Sequence, residues 1–468
     1  MQLGGAVTFC ETFDNKNPGI PSRTGDLDPN VWGVSRAIGD GVNFGQNWYN
    51  AWAATTQLLT CNGTTTVSPP NDVMICNGQL REASNDNPDG SFEGGTVTTL
   101  AMYVKQPFDF AGRTGTISFD VSNDTHNNHS AWPEFWISNL PVPAPFVHTG
   151  SWVSNPQHGF GIRFSAQATP GTGGLCPNSN NLNVSRWTVD SAVVVRNYVM
   201  EDVDYTGVDD GTASNPPLQI HFLDCVIAPP DGSGIMNHVE VRVNQNEIDV
   251  YATDAGVAAS PSTLRKIASI TNANLTFTRG LVWLEDVHYN ADKGNPPSEK
   301  IHTFVWDNLA FDGPFTDRDF SYDALDTNQA VAGDPKRVNL GQFSNANQTA
   351  SWNVLNMPAN PQASAVRVLF NFSREGDLPN PTVLNVIVNG HAHPTPWPYP
   401  DQVSSWRTLA VTIPITDLVP GTNVVQLGSD QPMVTSNVDI VLAGVPGGVP
   451  VLPGSNNAYP GGGVLPTQ

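Results

Sequence analysis

The stretch Thr116-Ile-Ser-Phe-Asp-Val121 alternates polar and apolar side chains without a break. Strict alternation is typical of a β-strand with one buried face. The stretch His238-Val-Glu-Val-Arg-Val243 repeats the pattern, and a turn at Asn244–Asn246 leads to a second alternating run, Glu247–Tyr251, which together predict a hairpin. Most of the chain consists of similar short runs bounded by Gly, Pro, Asn and Asp, and one short helix is predicted at Ser262–Ala268. We therefore expect an all-β protein.

Composition limits the possible functions. The chain has 468 residues, with 21 Lys and Arg against 43 Asp and Glu, so its formal net charge is −22. A protein that binds duplex nucleic acid or an anionic membrane needs a basic surface, which this composition does not supply. The sequence contains no run of about 18 apolar residues, so we expect no membrane-spanning helix.

The chain divides into two predicted domains. A boundary follows Asp312-Gly-Pro314, so the first domain is assigned to residues 8–314. Residues 315–335 are charged and poor in large aliphatic side chains, which indicates a connector. Residues 336–445 contain a second series of strands and have the length of one small β-sandwich. Residues 446–468 are rich in Pro and Gly and form a tail without a core pattern.

Four stretches of the first domain carry a resemblance: Glu11–Asp14 with Leu27–Trp32, Phe110–Val121, Trp132-Pro-Glu-Phe-Trp-Ile137, and Phe304–Pro314. They resemble strands of the concanavalin-A-like lectin/glucanase jelly roll, and the third is similar to a segment of laminarinase-type β-glucanases. Three segments of the second domain are similar to small carbohydrate-binding or galactose-binding-like sandwiches: Leu384–Gly390, Leu418–Asn423 and Val438–Val441. The resemblance implies a concanavalin-A-like β-jelly roll followed by a smaller β-sandwich, with a glycan as ligand.

The segment Trp132–Ile137 contains the first candidate site residues. Alternation places Glu134 and Trp136 on one face of the strand, and a carboxylate beside an indole suits a sugar, whose ring stacks on the aromatic face. In Val282–Tyr289, Trp283 and Glu285 share a face. If that face lines the groove, Glu134 and Glu285 form a carboxylate pair, as glycoside hydrolysis requires.

The opposite face of the same strand supports a different reaction. If it lines the groove, His288 and Asp286 become the polar pair. With Arg163, Tyr289 or Lys293 they suit proton abstraction from a uronic acid, the lyase chemistry that this jelly roll also hosts. Arg163 would then neutralise the substrate carboxylate. The sequence does not decide which face of this strand lines the groove. The substrate-binding candidates are Trp132, Trp136, Arg163, Trp283, Tyr289 and His126.

The motif Asn246-Glu-Ile-Asp-Val250 is similar to the Glu-x-Asp pattern of laminarinase-type catalytic strands. Those strands carry a second glutamate shortly afterwards, whereas Tyr251 and Ala252 follow here. We therefore interpret Glu247 and Asp249 as the solvent-facing side of a hairpin.

The remaining predictions concern ions, cysteines and location. The reaction requires no cofactor, and the ion we consider is a structural Ca²⁺ bound by Asp14, Asp307 and Asp312. Five cysteines leave one unpaired, and we pair Cys61 with Cys76 and Cys176 with Cys225. Disulfides, acidity and few lysines indicate a secreted protein.

The sequence thus predicts a secreted glycoside hydrolase acting on a neutral polysaccharide, since 21 cations in a chain of net charge −22 are few for holding a polyuronate. The alternatives are a polysaccharide lyase and a non-catalytic glycan-binding or adhesive surface protein. A glycan is the expected partner, and the chain is a monomer or a homo-oligomer of undetermined order.

Overall fold

The computed structural model describes residues 5–14, 31–39, 71–76, 78–85, 97–123, 131–139, 156–167, 186–204, 216–230, 233–289, 301–314, 317–323, 338–340, 350–373, 382–398, 407–431 and 433–446. Within these ranges the regular structure is antiparallel strand apart from one short 3₁₀-helix, which confirms the all-β prediction. None of the described segments forms a helix long and apolar enough to cross a membrane.

Eighteen strands build the first domain. In chain order they are β1 (Val7–Glu11), β2 (Trp32–Gly39), β3 (Asn71–Cys76), β4 (Gln79–Asn85), β5 (Val97–Val104), β6 (Phe108–Asp109), β7 (Gly115–Asn123), β8 (Ala131–Ser138), β9 (His158–Gln167), β10 (Arg186–Arg196), β11 (Val199–Asp204), β12 (Gln219–Phe222), β13 (Val226–Ile227), β14 (Asn237–Val243), β15 (Glu247–Ala252), β16 (Arg265–Thr271), β17 (Arg279–Tyr289) and β18 (Ile301–Asp312).

These strands form two nine-stranded sheets. The front sheet has the order β11-β10-β9-β8-β17-β5-β2, with β13 beside β10 and β6 beside β17. The back sheet has the order β12-β16-β15-β14-β7-β18-β4-β3, with β1 beside β18. The predicted hairpin is confirmed as β14 and β15, which pair from Val239 opposite Ala252 to Val243 opposite Ile248.

The first core lies between the front and back sheets. Phe119, from the alternating stretch on β7, stacks against Phe135 of the front sheet with ring centroids 5.5 Å apart, and meets Trp306 edge-on at the same distance. All three side chains are buried in one cluster with apolar residues of both sheets. Burial of the alternate residues of each strand therefore fixes which face of the front sheet points away from this core.

The second domain contains nine further strands. They are β19 (Arg318–Asp323), β20 (Val338–Leu340), β21 (Ala350–Met357), β22 (Ala365–Ser373), β23 (Val383–Val388), β24 (His391–Pro396), β25 (Arg407–Ile413), β26 (Gly421–Ser429) and β27 (Met433–Val445), with a 3₁₀-helix at Ile415–Asp417. One sheet has the order β19-β27-β22-β25 with β20 beside β27, and the other the order β21-β26-β23-β24. A separate hydrophobic core holds these sheets together.

The connector prediction is wrong over part of its length. Within the predicted connector 315–335, β19 pairs with β27 and places Phe320 and Tyr322 in the second core. These two aromatic side chains form the buried face of β19. The charged residues around them make the segment look like a connector in the sequence. The predicted helix at Ser262–Ala268 is also wrong. Thr263 closes a turn through bonds to Ser260, and the chain then enters β16.

Tyr198 connects the two domains. It lies in the tight turn between β10 and β11, with φ of +65°, and packs within the second core. A left-handed backbone costs a non-glycine residue about 1–2 kcal/mol, so burial of the ring must offset this cost. Beside it, the backbone N–H of Asp319 donates to the carbonyl of Lys105 at 2.9 Å, and the Lys105 ammonium lies 5.1 Å from the centroid of Phe320.

Candidate functional site

Two glutamates lie directly opposite each other on the face of the front sheet that points away from the core. The register pairs Glu285 of β17 with Glu134 of β8, and Glu134 in turn with Arg163 of β9. Both glutamates are buried, with 0 and 1 % of their surface exposed. Directly opposed residues of an antiparallel pair have Cβ atoms about 4.5–5.5 Å apart, so the two carboxyl groups belong to one site.

Two indole groups hold the carboxylate of Glu134. Trp132 Nε1 donates to its Oε1 at 2.7 Å, and Trp136 Nε1 donates to its Oε2 at 2.8 Å. The strand periodicity of two explains this geometry, because residues 132, 134 and 136 all point to the same side of β8. Donation by two N–H groups favours the ionised form of the carboxyl group.

The guanidinium of Arg163 contacts both Trp132 and Asp190. Its guanidinium carbon lies 3.7 Å from the ring centroid of Trp132, and its Nε lies 2.9 Å from Oδ2 of Asp190. Asp190 is where the pairing of β10 with β9 shifts register, between Val189 and Ser191. Such irregularities re-aim a side chain, and here the shift accompanies the contact between Asp190 and Arg163. Sequence reasoning missed Asp190, although a lone charge within the apolar run of β10 was an available signal.

A row of aromatic side chains lies beside the carboxylate row on the same face. Trp283 is paired with both Trp136 and Tyr103 across the sheet, and the rings of Tyr103 and Trp283 are 4.5 Å apart. Trp283 Nε1 donates to Ser138 Oγ at 2.8 Å. Gly161 continues the row on β9, where a Cβ would lie 2.3 Å from the indole of Trp136. The Trp136 indole therefore packs directly over Gly161, where any residue with a Cβ would clash with it.

The alternative residue set on β17 is divided between the two faces. Asp286 is buried and lies two positions after Leu284, which belongs to the main core. The two side chains therefore point to the core side of the sheet, opposite to Arg163. Of His288 and Tyr289 the structure describes the backbone, as the last two residues of β17. His126 and Lys293 lie outside the described residues. The grouping of His288 and Tyr289 with Arg163 therefore stays a prediction.

The Glu-x-Asp motif lies on the back sheet. Lys266 Nζ is 2.6 Å from Oδ1 of Asp249 and 3.9 Å from Oε1 of Glu247. Ser269 Oγ donates to Asp249 at 2.7 Å. Neighbouring strands thus neutralise both carboxylates on a partly exposed surface, in agreement with their interpretation as the polar side of a hairpin.

Two of the three predicted calcium ligands, Asp14 and Asp307, interact electrostatically. Burial, together with the negative charges of Asp120, Asp14 and Glu11, raises the pKa of Asp307 to about 7, although a hydrogen bond from the backbone N–H of Asn308 lowers it. The negative charge of Asp14 therefore helps to raise the pKa of Asp307. Oxygen ligands of this type suit Ca²⁺, although within the described ranges no three acidic, imidazole or thiol side chains are arranged to hold a metal ion as they stand.

Asp312 has a different role. Its Oδ1 accepts hydrogen bonds from Arg113 Nη1 at 2.7 Å and from the backbone N–H of Thr116 at 2.9 Å. It follows Asp307 by five positions on β18, which at about 3.4 Å per residue separates the two by at most roughly 17 Å. Asp312 thus takes part in an ion pair at the far end of the strand, and Ca²⁺ binding by Asp14 and Asp307 stays a prediction.

A cavity of about 530 Å³ opens beside Asp307 on the back sheet. Its polar wall includes Asp120, which is 2.6 Å from His238 Nδ1 and accepts a bond from Asn308 Nδ2 at 2.7 Å. Met236 lies on its apolar wall. The sequence predicts that His238 and Asp120 are polar positions of two separate strands. The alternating pattern does not indicate that these two strands are neighbours in the sheet.

The cysteines are resolved in part. Cys10 is free and exposed. Cys225 is disulfide-bonded, while Cys176, its predicted partner, lies outside the described residues. Cys61 also lies outside them. Both pairings stay predictions.

Comparison with known proteins gives no family assignment. No family model matches the chain, and no curated protein matches it. Similar solved structures include a β-1,3-1,4-glucanase (lichenase) from a mouse hindgut metagenome, with 10 % identity over 65 % of this chain and 98 % of that chain and a TM-score of 0.31. A Bacillus licheniformis β-glucanase matches with 11 % identity over 66 % of this chain and 100 % of its own, at a TM-score of 0.29.

A lectin domain is also among the similar structures. The exoplasmic domain of VIP36, in a form bound to Ca²⁺ and Man3GlcNAc, has 10 % identity over 52 % of this chain and 80 % of that chain, with a TM-score of 0.29. The similar structures thus include both glucanases and a lectin domain. At this identity and TM-score they assign no activity to the chain.

Proposed function

We propose that this protein is a glycoside hydrolase in which Glu134 and Glu285 are the catalytic carboxyl groups. The observation that carries the proposal is the register of β8 and β17, which places the two glutamates opposite each other on the face away from the core. The indoles of Trp132 and Trp136, which bond Glu134, add the aromatic surfaces that sugar rings contact.

The direct pairing of the two glutamates on neighbouring strands, whose Cβ atoms lie about 4.5–5.5 Å apart in such pairs, favours hydrolysis with retention of configuration. Retaining enzymes hold their two carboxyl groups about 5–5.5 Å apart, whereas inverting enzymes leave room for a water molecule between them. Two indole donors favour the ionised form of Glu134, which makes it the nucleophile. Glu285 then protonates the leaving oxygen, and in the second step accepts a proton from the water that releases the sugar from Glu134.

The environment of Arg163 favours a neutral glycan over a polyuronate. A lyase needs a cation for the carboxylate of its substrate, and in this row Arg163 already contacts Asp190 and Trp132. Its side chain is 20 % exposed, so this end of the row meets solvent. Substrate would enter there.

We also propose that the protein acts outside the cytoplasm. The acidic composition with few lysines supports this location, as does the disulfide bond of Cys225.

The test is a panel of neutral and uronate polysaccharides assayed for new reducing ends and for unsaturated products. The variants are Glu134→Gln and Glu285→Gln, with Glu247→Gln as the matched control on the solvent-facing hairpin. We expect hydrolysis of a neutral glycan that falls at least about 100-fold in the two site variants, the usual range for removal of a proton-transfer group, and is unchanged in the control. Reducing ends released equally by all four proteins would overturn the assignment.

The burial of both carboxylates favours a second candidate, glycan binding without turnover. In that case the protein is retained on an immobilised glycan and releases no reducing ends, and Trp132→Ala weakens retention. Unsaturated products from a uronate polymer, lost in His288→Ala, would instead establish the lyase.

A further inference from the structure

Two histidines lie side by side on the edge strand of the second domain. The strands β23 and β24 are joined by Asn389-Gly390, whose φ angles of +50° and +89° form the tight turn that favours Asn-Gly. His391 and His393 then face Val388 and Val386, which are core residues. Both imidazoles therefore lie on the inner face of the sheet, at its open edge.

Asp417 closes this edge from the 3₁₀-helix. Asn389 Nδ2 donates to the backbone carbonyl of Asp417 at 2.8 Å and also bonds Asn423, so the helix is attached to the hairpin turn. The Asp417 carboxylate faces both imidazoles: its Oδ2 is 2.8 Å from His393 Nε2, and its Oδ1 is 3.9 Å from His391 Nδ1.

The two closest atoms are within ion-pair distance, but their geometry is not that of a hydrogen bond. The side chain of Asp417 is 10 % exposed and that of His393 is 18 % exposed. Asp417 Oδ2 and His393 Nε2 are both buried, and neither has a hydrogen-bond partner of acceptable geometry within the described structure. A buried polar atom left without a partner costs about 1–3 kcal/mol. A cation between the two atoms would satisfy both.

We propose that His391, His393 and Asp417 form a binding site for a divalent transition-metal ion, with Zn²⁺ as the reference ion. Two imidazoles and a carboxylate are ligands that zinc and copper accept. With metal–ligand distances of about 2.0–2.2 Å in a tetrahedron, ligand atoms are roughly 3.3 Å apart, a value between the 2.8 and 3.9 Å observed here.

For the site to form, the His393–Asp417 pair must open from 2.8 Å to about 3.3 Å, and His391 must turn towards it. His393 and Asp417 are held by the strand and the helix, whereas the side chain of His391 is 63 % exposed and turns without disturbing the core. Rotation of this ring towards Asp417 converts a two-ligand pair into a three-ligand site. Its fourth position stays open to water, as in zinc sites with three protein ligands.

The experiment is calorimetric titration of Zn²⁺ into the full-length protein, produced without a histidine tag and stripped with a chelator. We expect one equivalent to bind. His391→Ala removes an exposed ligand without touching the core, and we expect it to weaken binding at least about tenfold, since even loss of an outer-shell partner costs about 10–100-fold. Asp417→Asn is the second site variant.

The matched control is His221→Ala, which removes an exposed strand histidine of the first domain. It should bind Zn²⁺ as the unmodified protein does. Cobalt substitution gives a second readout, because its visible spectrum reports tetrahedral coordination and should change in His391→Ala. Absence of stoichiometric binding, or equal affinity in the His391 and His221 variants, would overturn the proposal and leave an ordinary ion pair between His393 and Asp417.

Discussion

Replacement of Asp307 by Asn should stabilise the protein, and the gain should depend on pH. Burial and three neighbouring carboxylates raise the pKa of Asp307 from 3.8 to about 7. The folded state therefore retains a proton that the unfolded state releases between about pH 4 and pH 7. The stability that this proton contributes is complete below pH 4 and is lost as the pH rises through 7.

The magnitude follows from the size of the shift. At about 1.4 kcal/mol per pKa unit, a change from 3.8 to about 7 corresponds to roughly 4 kcal/mol at face value. The side chain is only half-buried, and solvent screens its neighbours, so we expect about 1–2 kcal/mol. Asp307→Asn should exceed the unmodified protein in unfolding free energy by this amount at pH 8 and match it near pH 4.

The assay is urea unfolding followed by tryptophan fluorescence, at several pH values between 4 and 8.5 and with EDTA present. The control is Asp312→Asn on the same strand, which should lower stability because Asp312 bonds Arg113 and the backbone of Thr116. Repeating the series with Ca²⁺ tests the predicted ion site, since an ion that binds the folded state stabilises it by mass action. A loss of stability in Asp307→Asn at pH 8, or a difference independent of pH, would refute the reasoning.

Three further predictions follow from the front sheet and the domain contact. Gly161→Ala should lower the unfolding free energy by about 1–3 kcal/mol in thermal unfolding, because the new methyl group would lie 2.3 Å from the indole of Trp136. Asp190→Asn should release Arg163 from its ion pair and increase the retention of anionic oligosaccharides in affinity electrophoresis; unchanged retention would show that Trp132 alone holds the guanidinium. Tyr198→Ala should cost about 2–4 kcal/mol through lost burial and increase protease cleavage between the domains, whereas Tyr198→Phe should not.

Part of the fold follows directly from local patterns in the sequence. Alternation in Thr116–Val121 predicted which side chains belong to the first core, since Ile117, Phe119 and Val121 all lie in it. The hairpin of β14 and β15 was predicted in the same way and is confirmed by its register. These elements could be predicted because one buried face requires apolar side chains at every second position.

The missed strands are those in which the local signal was weak. The edge strand β24 contains Pro394 and Pro396, and proline is tolerated in a sheet only where its missing N–H faces solvent. In β19 two aromatic residues alternate within a charged segment. The strand β16 replaces a predicted helix because pairing with β12 and β15 on its two sides outweighs the local preference.

The candidate site was also predicted in part from local pattern and decided in part by tertiary structure. By itself the sequence determined that Glu134 shares a face with Trp132 and Trp136, and that Glu285 shares a face with Trp283, because the period of a strand is a property of its own backbone. Only the tertiary structure decided that these two faces are the same face of one sheet, and that Glu134 lies opposite Glu285. The two residues are about 150 positions apart, and their register depends on which side chains of β8 and β17 the core between the sheets can bury.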